Sequence, residues 1–135
     1  MTTPDEYASV RYLVDDVPAA VDFYTRHLGF TVHTNPAPAF ADVIRGPLRL
    51  LLSGPASSGA RATPTDTPGP GGNRIHLIVG DLDAEIARLR EAGVAFRSDV
   101  VAGPGGRQIL ITDPAGNLIE LFQPAAGPHA STPTT

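Results

Sequence analysis

Residues 9–14 alternate. Val10, Tyr12 and Val14 fall on one side and Ser9, Arg11 and Leu13 on the other, the period of two that marks a β-strand. Residues 74–79 repeat the pattern, with Ile75, Leu77 and Val79 on one face and Arg74, His76 and Ile78 on the other. Behind each strand the period lengthens. Val17, Val21, Tyr24 and Leu28 recur at helical spacing, with Pro18 suited to a first turn. Leu82, Ile86 and Leu89 do the same, with Asp83 and Glu85 at the end where a helix dipole favours negative charge. Gly29 and Gly93 stand where a left-handed residue would end each helix. Three short strand patterns follow: 30–34, 40–45 and 48–52 in the first half, 94–100, 107–112 and 117–123 in the second. Pro36, Pro38 and Gly46-Pro47 punctuate the first set, Gly103-Pro-Gly-Gly106 and Asp113-Pro-Ala-Gly116 the second. The Asp113 turn reads as turn chemistry without catalysis, and the Gly103 string as a hairpin, since it does not lead a strand into a helix as a phosphate cradle would.

The halves align at an offset of 65: Val14, Asp16, Val17, Ala19, Val21 and Tyr24 meet Val79, Asp81, Leu82, Ala84, Ile86 and Leu89. That period exceeds those of solenoids, so the chain reads as a duplicated half-domain. The expectation is an α+β fold of two βαβββ modules, 7–52 and 74–123, whose mixed sheet curves into a cup with the helices on its outer face. Between them, 53–73 holds nine glycines and prolines and little that could build a core, which predicts a flexible linker. The tail, 124–135, has the same character.

Composition narrows the chemistry. The 135 residues carry a formal net charge of −4, no cysteine and no tryptophan, and all ten basic side chains are arginines. Without cysteine there are no disulfides, thiolate nucleophiles or Cys-ligated metals; without lysine there is no Schiff-base chemistry. An acidic balance argues against nucleic-acid binding. No apolar run approaches the ~18–20 residues that span a bilayer, and residues 1–7 lack the basic and apolar regions of a signal peptide. The expected location is the cytoplasm, away from membranes.

The string Val14-x-Asp16, Phe23-Tyr24 and Leu28-Gly29-Phe30, followed by Asp113-Pro-x-Gly-Asn-x-Ile-Glu-Leu121, resembles the vicinal oxygen chelate superfamily. That superfamily includes glyoxalase I, extradiol dioxygenases, bleomycin-resistance proteins and fosfomycin-modifying enzymes. The likeness covers about residues 7–123 and implies fold more firmly than activity, because this fold hosts unrelated functions. Metal-dependent members carry a His at the start of the first strand and a Glu near the last strand of each half. Those positions fall here on Ser9, Leu51, Arg74 and Glu120. Only Glu120 is a good ligand, whereas a divalent site needs about three N or O donors. The metal site reads as lost and no cofactor is expected. Rescue would need His76, Glu120 and a third ligand from Asp42 or His33, through an irregular strand register. His27 reads as solvated surface near a helix end, and His129 lies in the tail.

Strand parity places Ser9, Arg11, Leu13, Arg49, Leu51, Arg74, His76, Ile78, Leu118, Glu120 and Phe122 in the cup. A mixture of apolar walls and few polar groups suits a small molecule. The ligand-binding set is Ser9, Arg11, Phe40, Arg49, Leu51, Arg74, Ile78 and Phe122, with Phe40 and Phe122 able to stack on a ring. The arginines can grip carboxylates or carbonyls bidentately. His76 beside Glu120 is the candidate acid–base pair. The plain alternative is a solvated sheet face or dimer interface with a structural Arg74–Glu120 ion pair. The preferred function is therefore a small-molecule-binding protein similar to the bleomycin-resistance branch, without a complete metal site. The alternatives are a glyoxalase-like lyase, isomerase or dioxygenase acting on a small carbonyl or aromatic substrate, and a dimerisation or regulatory module. The resemblance also implies a homodimer.

Overall fold

A computed structural model of the chain describes residues 7–35, 38–64 and 73–125; the chain divides into two compact units, Met1–Gly69 and Pro70–Thr135. The first unit runs β1 (Ala8–Leu13), α1 (Val17–His27), β2 (Thr31–Thr34), β3 (Phe40–Arg45), β4 (Leu48–Ser53) and α2 (Ser58–Ala62). The second runs β5 (Ile75–Ile78), α3 (Leu82–Glu91), β6 (Val101–Gly103), β7 (Gly106–Thr112) and β8 (Leu118–Pro124). Each builds a four-stranded mixed sheet, in the order β1-β4-β3-β2 and β5-β8-β7-β6. In both, the first strand pairs parallel with the last, and the other neighbours are antiparallel. These are the two βαβββ modules that the repeat predicts.

The helices begin and end for matching reasons. Asp16 and Asp81 adopt extended backbone and accept from the Ala19 and Ala84 N–H groups at 3.1 and 3.0 Å, satisfying donors the helix leaves unpaired. At the far ends Gly29 and Gly93 sit at φ 75° and 81°, where a Cβ would be strained. After α3 the Gly93 N–H donates to the Arg90 carbonyl and Val94 N–H to Leu89, the paired reverse bonds of a Schellman close. One face of α1 then packs Val17, Val21 and Tyr24 toward Ala41, Val43, Leu50 and Leu52. One face of α3 packs Leu82, Ile86 and Leu89 toward the second sheet, where Ile75, Leu77, Ile109, Ile111, Ile119 and Leu121 are buried. The alternation of the sequence thus sends one parity of every long strand under a helix.

Two expectations need correction, and one irregularity adds to the picture. Residues 94–100 do not form a strand; only Phe96 bridges to Ile111, and the strand pairing with β7 is Val101–Gly103. The cause is local: the helix close consumes the Val94 N–H, and the Ser98 hydroxyl takes the Leu110 N–H at 3.0 Å, which a continuing ladder would use. Residues 53–64 are not featureless linker. Ser53 ends β4, Ser57 is buried and caps α2 by accepting from Ala60 N–H at 3.2 Å, and its hydroxyl donates to the Gly54 carbonyl. The rest of the linker, 65–72, and His129 with the tail from 126 lie outside the described residues. Finally, β2 meets β3 with a register shift between Val32 and Thr34, a bulge that turns His33 out of the regular alternation.

Candidate functional site

The faces turned away from α1 and α3 carry the polar groups. On the first sheet the register sets Ser9 beside Arg49, Arg11 beside Leu51, Leu51 beside Asp42, and Phe40 beside Ser53. Ser9 is exposed, while Phe40 and Leu51 are half-buried. Arg11 donates from Nη1 to the Ser53 hydroxyl at 2.7 Å. A Cβ on Gly59 would come within 2.1 Å of the same Nη1, so this guanidinium lies directly under α2 and helps hold it.

Asp42 is fully buried on that face. Its Oδ2 accepts from Arg49 Nε at 2.5 Å and stands 3.0 Å from His33 Nδ1. Burial alone would push the carboxyl up; the hydrogen bonds from Arg49 and His33 and the Arg49 charge outweigh it and hold Asp42 below the usual carboxylate range. Oδ1 is buried with no hydrogen-bond partner among the described residues. The Tyr7 ring meets the His33 ring edge-on at 5.7 Å. The bulge in β2 makes this cluster possible, because it brings His33 over Asp42.

The second sheet carries a related arrangement on different strands. Glu120, nearly buried on β8, lies beside His76 in the parallel register. Its Oε1 accepts from Arg74 Nε at 3.1 Å, and its Oε2 lies 3.6 Å from His76 Nε2. The first contact is a charge-assisted hydrogen bond; the second is too long for one. The His76 ring tilts against Phe122 at 5.0 Å, and Ile78 is exposed at 59%. Leu118, of the same parity, is buried at its own end of β8.

The predicted residues therefore fall into two groups. Arg74, His76, Glu120 and Phe122 converge, with Ile78 at the rim. Arg49 joins a cluster whose centre, Asp42, and whose second partner, His33, were singled out in the sequence only as third metal ligands. An Asp amid the apolar strand pattern Phe-Ala-Asp-Val-Ile was the available signal; which groups would reach it depended on the bulge. Arg11 is engaged with Ser53.

The four positions at which metal-dependent relatives carry ligands hold a hydroxyl, an alkyl chain, a guanidinium and one carboxylate, and that carboxylate is ion-paired to the guanidinium. This donor set does not fit a divalent ion. Among the described residues no group of three or more His, Asp or Glu side chains is placed to hold one, and no helix is long and apolar enough to cross a membrane.

The model of the Glyoxalase/Bleomycin resistance protein/Dioxygenase superfamily matches residues 6–121. The chain belongs to that superfamily. Solved structures agree. TnmS3, an antibiotic binding protein from Streptomyces sp. CB03234, is 30% identical with a TM-score of 0.68, over 88% of this chain and 95% of its own. A superfamily member from Sphaerobacter thermophilus is 28% identical with a TM-score of 0.67, over 87% of this chain and 95% of its own. Lactoylglutathione lyase from Agrobacterium tumefaciens is 25% identical with a TM-score of 0.69, over 90% of this chain and 95% of its own. No curated protein sequence matches the chain. The superfamily is thus common ground between binding proteins and enzymes.

Proposed function

We propose that this glyoxalase-superfamily chain is a metal-independent small-molecule-binding protein, using the sheet faces turned away from α1 and α3. The observation that carries this reading is the Arg74–Glu120 pair: the one retained ligand-type carboxylate accepts from a guanidinium at 3.1 Å. The likeness to an antibiotic binding protein supports a polar or aromatic metabolite as ligand, and Phe122 and Phe40 supply apolar surface beside the arginines. We also take the protein to be a cytoplasmic homodimer.

The test is a thermal-shift screen of drug-like compounds followed by titration calorimetry, run with chelator and with added divalent metal. The reading expects hits whose affinity is unchanged by metal. A stoichiometric divalent ion in protein purified without chelator, lost in Glu120→Gln, would overturn it.

A second reading, an enzyme similar to the lyase relative, is favoured by His76 lying 3.6 Å from Glu120, a spacing that shortens to a hydrogen bond with a small side-chain movement. It expects His76→Ala to lose turnover of a small carbonyl substrate while keeping ligand binding. Loss of both together would reduce His76 to a pocket wall.

A further inference from the structure

The short helix α2 buries none of its own residues. A single helical turn has little stability of its own, so its attachments decide where it lies. Its root is fixed. Gly54 is buried, its N–H donates to the Ala39 carbonyl at 2.9 Å, and an added Cβ would lie 2.9 Å from Val17 Cγ2. Ser57, also buried, donates its hydroxyl to the Gly54 carbonyl at 2.7 Å. Beyond Ser57 the backbone bonds close the turn on itself: Arg61 N–H to the Ser57 carbonyl and Thr63 N–H to the Ala60 carbonyl, both at 3.1 Å. They tie nothing to the sheet.

The seat on the sheet is Arg11. Its Nη1 donates to the fully buried Ser53 hydroxyl at 2.7 Å, which holds the guanidinium in place. Gly59 rests on that guanidinium: an added Cβ would lie 2.7 Å from Arg11 Cζ and 3.0 Å from Nε, with Nη1 closer still. The Gly59 backbone is not in the left-handed region, so its φ would accept other residues. The missing side chain is what the close approach requires. Ser53, Arg11 and Gly59 thus stack, hydroxyl to guanidinium to helix, on the face turned away from α1.

We propose that α2 is a strap over the Arg11–Ser53 end of the first unit's open face, hinged between Gly54 and Ser57 and seated on Arg11, and that it lifts to admit a ligand there. Lifting exposes no apolar core, because α2 buries none of its residues. It uncovers a guanidinium fork able to take a carboxylate or carbonyl and the Ser53 hydroxyl beneath it. The role in admitting a ligand rests on the small-molecule reading above; the strap itself does not.

The experiment follows amide exchange by NMR in the full chain. The Ala60, Arg61 and Thr63 amides are expected to exchange through a local opening, while those of Leu50 and Leu52 in the interior strand β4 stay slow. Arg11→Ala is expected to speed the three α2 amides by about threefold to tenfold through lost packing. Gly59→Ala gives the sharper sign. Alanine is the better helix former and by propensity alone would slow exchange, whereas a methyl group at the Arg11 seat speeds it. Access is read separately. The chain has no cysteine, so Ser53→Cys carries a single thiol under the strap. Adding Gly59→Ala to it is expected to speed reaction with 5,5′-dithiobis(2-nitrobenzoate) by the same factor as it speeds the α2 amides. The inference is overturned if Gly59→Ala slows or leaves unchanged the exchange of α2, if Arg11→Ala leaves it unchanged, if the β4 amides open together with it, or if the thiol reacts at the same rate with and without Gly59→Ala. These readouts contain no ligand, so a compound screen without hits removes the binding-protein reading and leaves the strap standing, and unchanged exchange does the reverse.

Discussion

Asp42 takes Arg49 and His33 on one oxygen, the Thr34 hydroxyl adds to their effect, and the lowered pKa that results has a measurable consequence in acid. Its folded pKa lies below the unfolded value of about 3.9. A depressed carboxylate contributes stability that is complete above the unfolded pKa and is lost as pH falls through the folded one. Wild-type stability is therefore expected to fall as the pH drops below about 4. Asp42→Asn should be less stable at neutral pH, by about 1–3 kcal/mol, and flatter in the acid window. Urea unfolding at a series of pH values reads both; parallel curves for the two proteins would remove Asp42 as a source of the acid response. Glu120 was legible from the sequence because it sits in a recognisable string. Asp42 was legible only as a possible metal ligand; alternation put Arg49 on the cup face, but His33 reaches Asp42 only through the β2 bulge, which alternation does not specify.

The strands and helices were mostly legible because each carries its signal within itself. Parity along β1, β4, β5 and β8 told which side chains go under a helix, and the observed burial of Leu50, Leu52, Ile119 and Leu121 follows it. The failures came where one segment's hydrogen bonds are consumed by another's. Residues 94–100 have β-forming side chains, but a helix close and the Ser98 hydroxyl remove the ladder they would have joined. Residues 53–64 look like linker by composition, yet Ser57 caps a short helix seated on Arg11. Two substitutions test the elements. Asp16→Ala and Asp81→Ala should each cost about 1 kcal/mol, as lost helix caps do, seen as a lower thermal midpoint. Gly106→Ala should cost considerably more. Gly106 sits at φ 149°, and an added Cβ would lie 2.1 Å from the Gln123 carbonyl oxygen on β8. The backbone there cannot swing aside as a flexible side chain would. An unchanged midpoint in Gly106→Ala would mean that the β6–β7 hairpin is free to rebuild.

Each half of the molecule closes its own sheet and fills its own apolar layer, so damage to one should stay there. Leu50 is fully buried under α1, and Leu50→Ala should cost about 2–5 kcal/mol. Hydrogen exchange in that variant should quicken for amides of residues 7–64 and remain slow for β7 and β8; equal loss in both units would show that they unfold as one. Duplication was readable in the sequence as a whole, through the offset of 65, because core positions must repeat when a module repeats. The chemistry on the opposite faces did not have to repeat, and it has not: the first unit anchors its arginine on β3's Asp42, the second on β8's Glu120.

The parallel pairing of β1 with β4 and of β5 with β8 also bears on how the chain comes off the ribosome. Ala8 cannot find its neighbour until Leu48 has been made, nor Ile75 until Ile119 has. Through that interval the nascent first strand has no ladder. Long-range parallel pairing is a slow step in folding. Folding should therefore proceed in two steps during synthesis, with protection from protease arriving abruptly once β4 has emerged and again once β8 has.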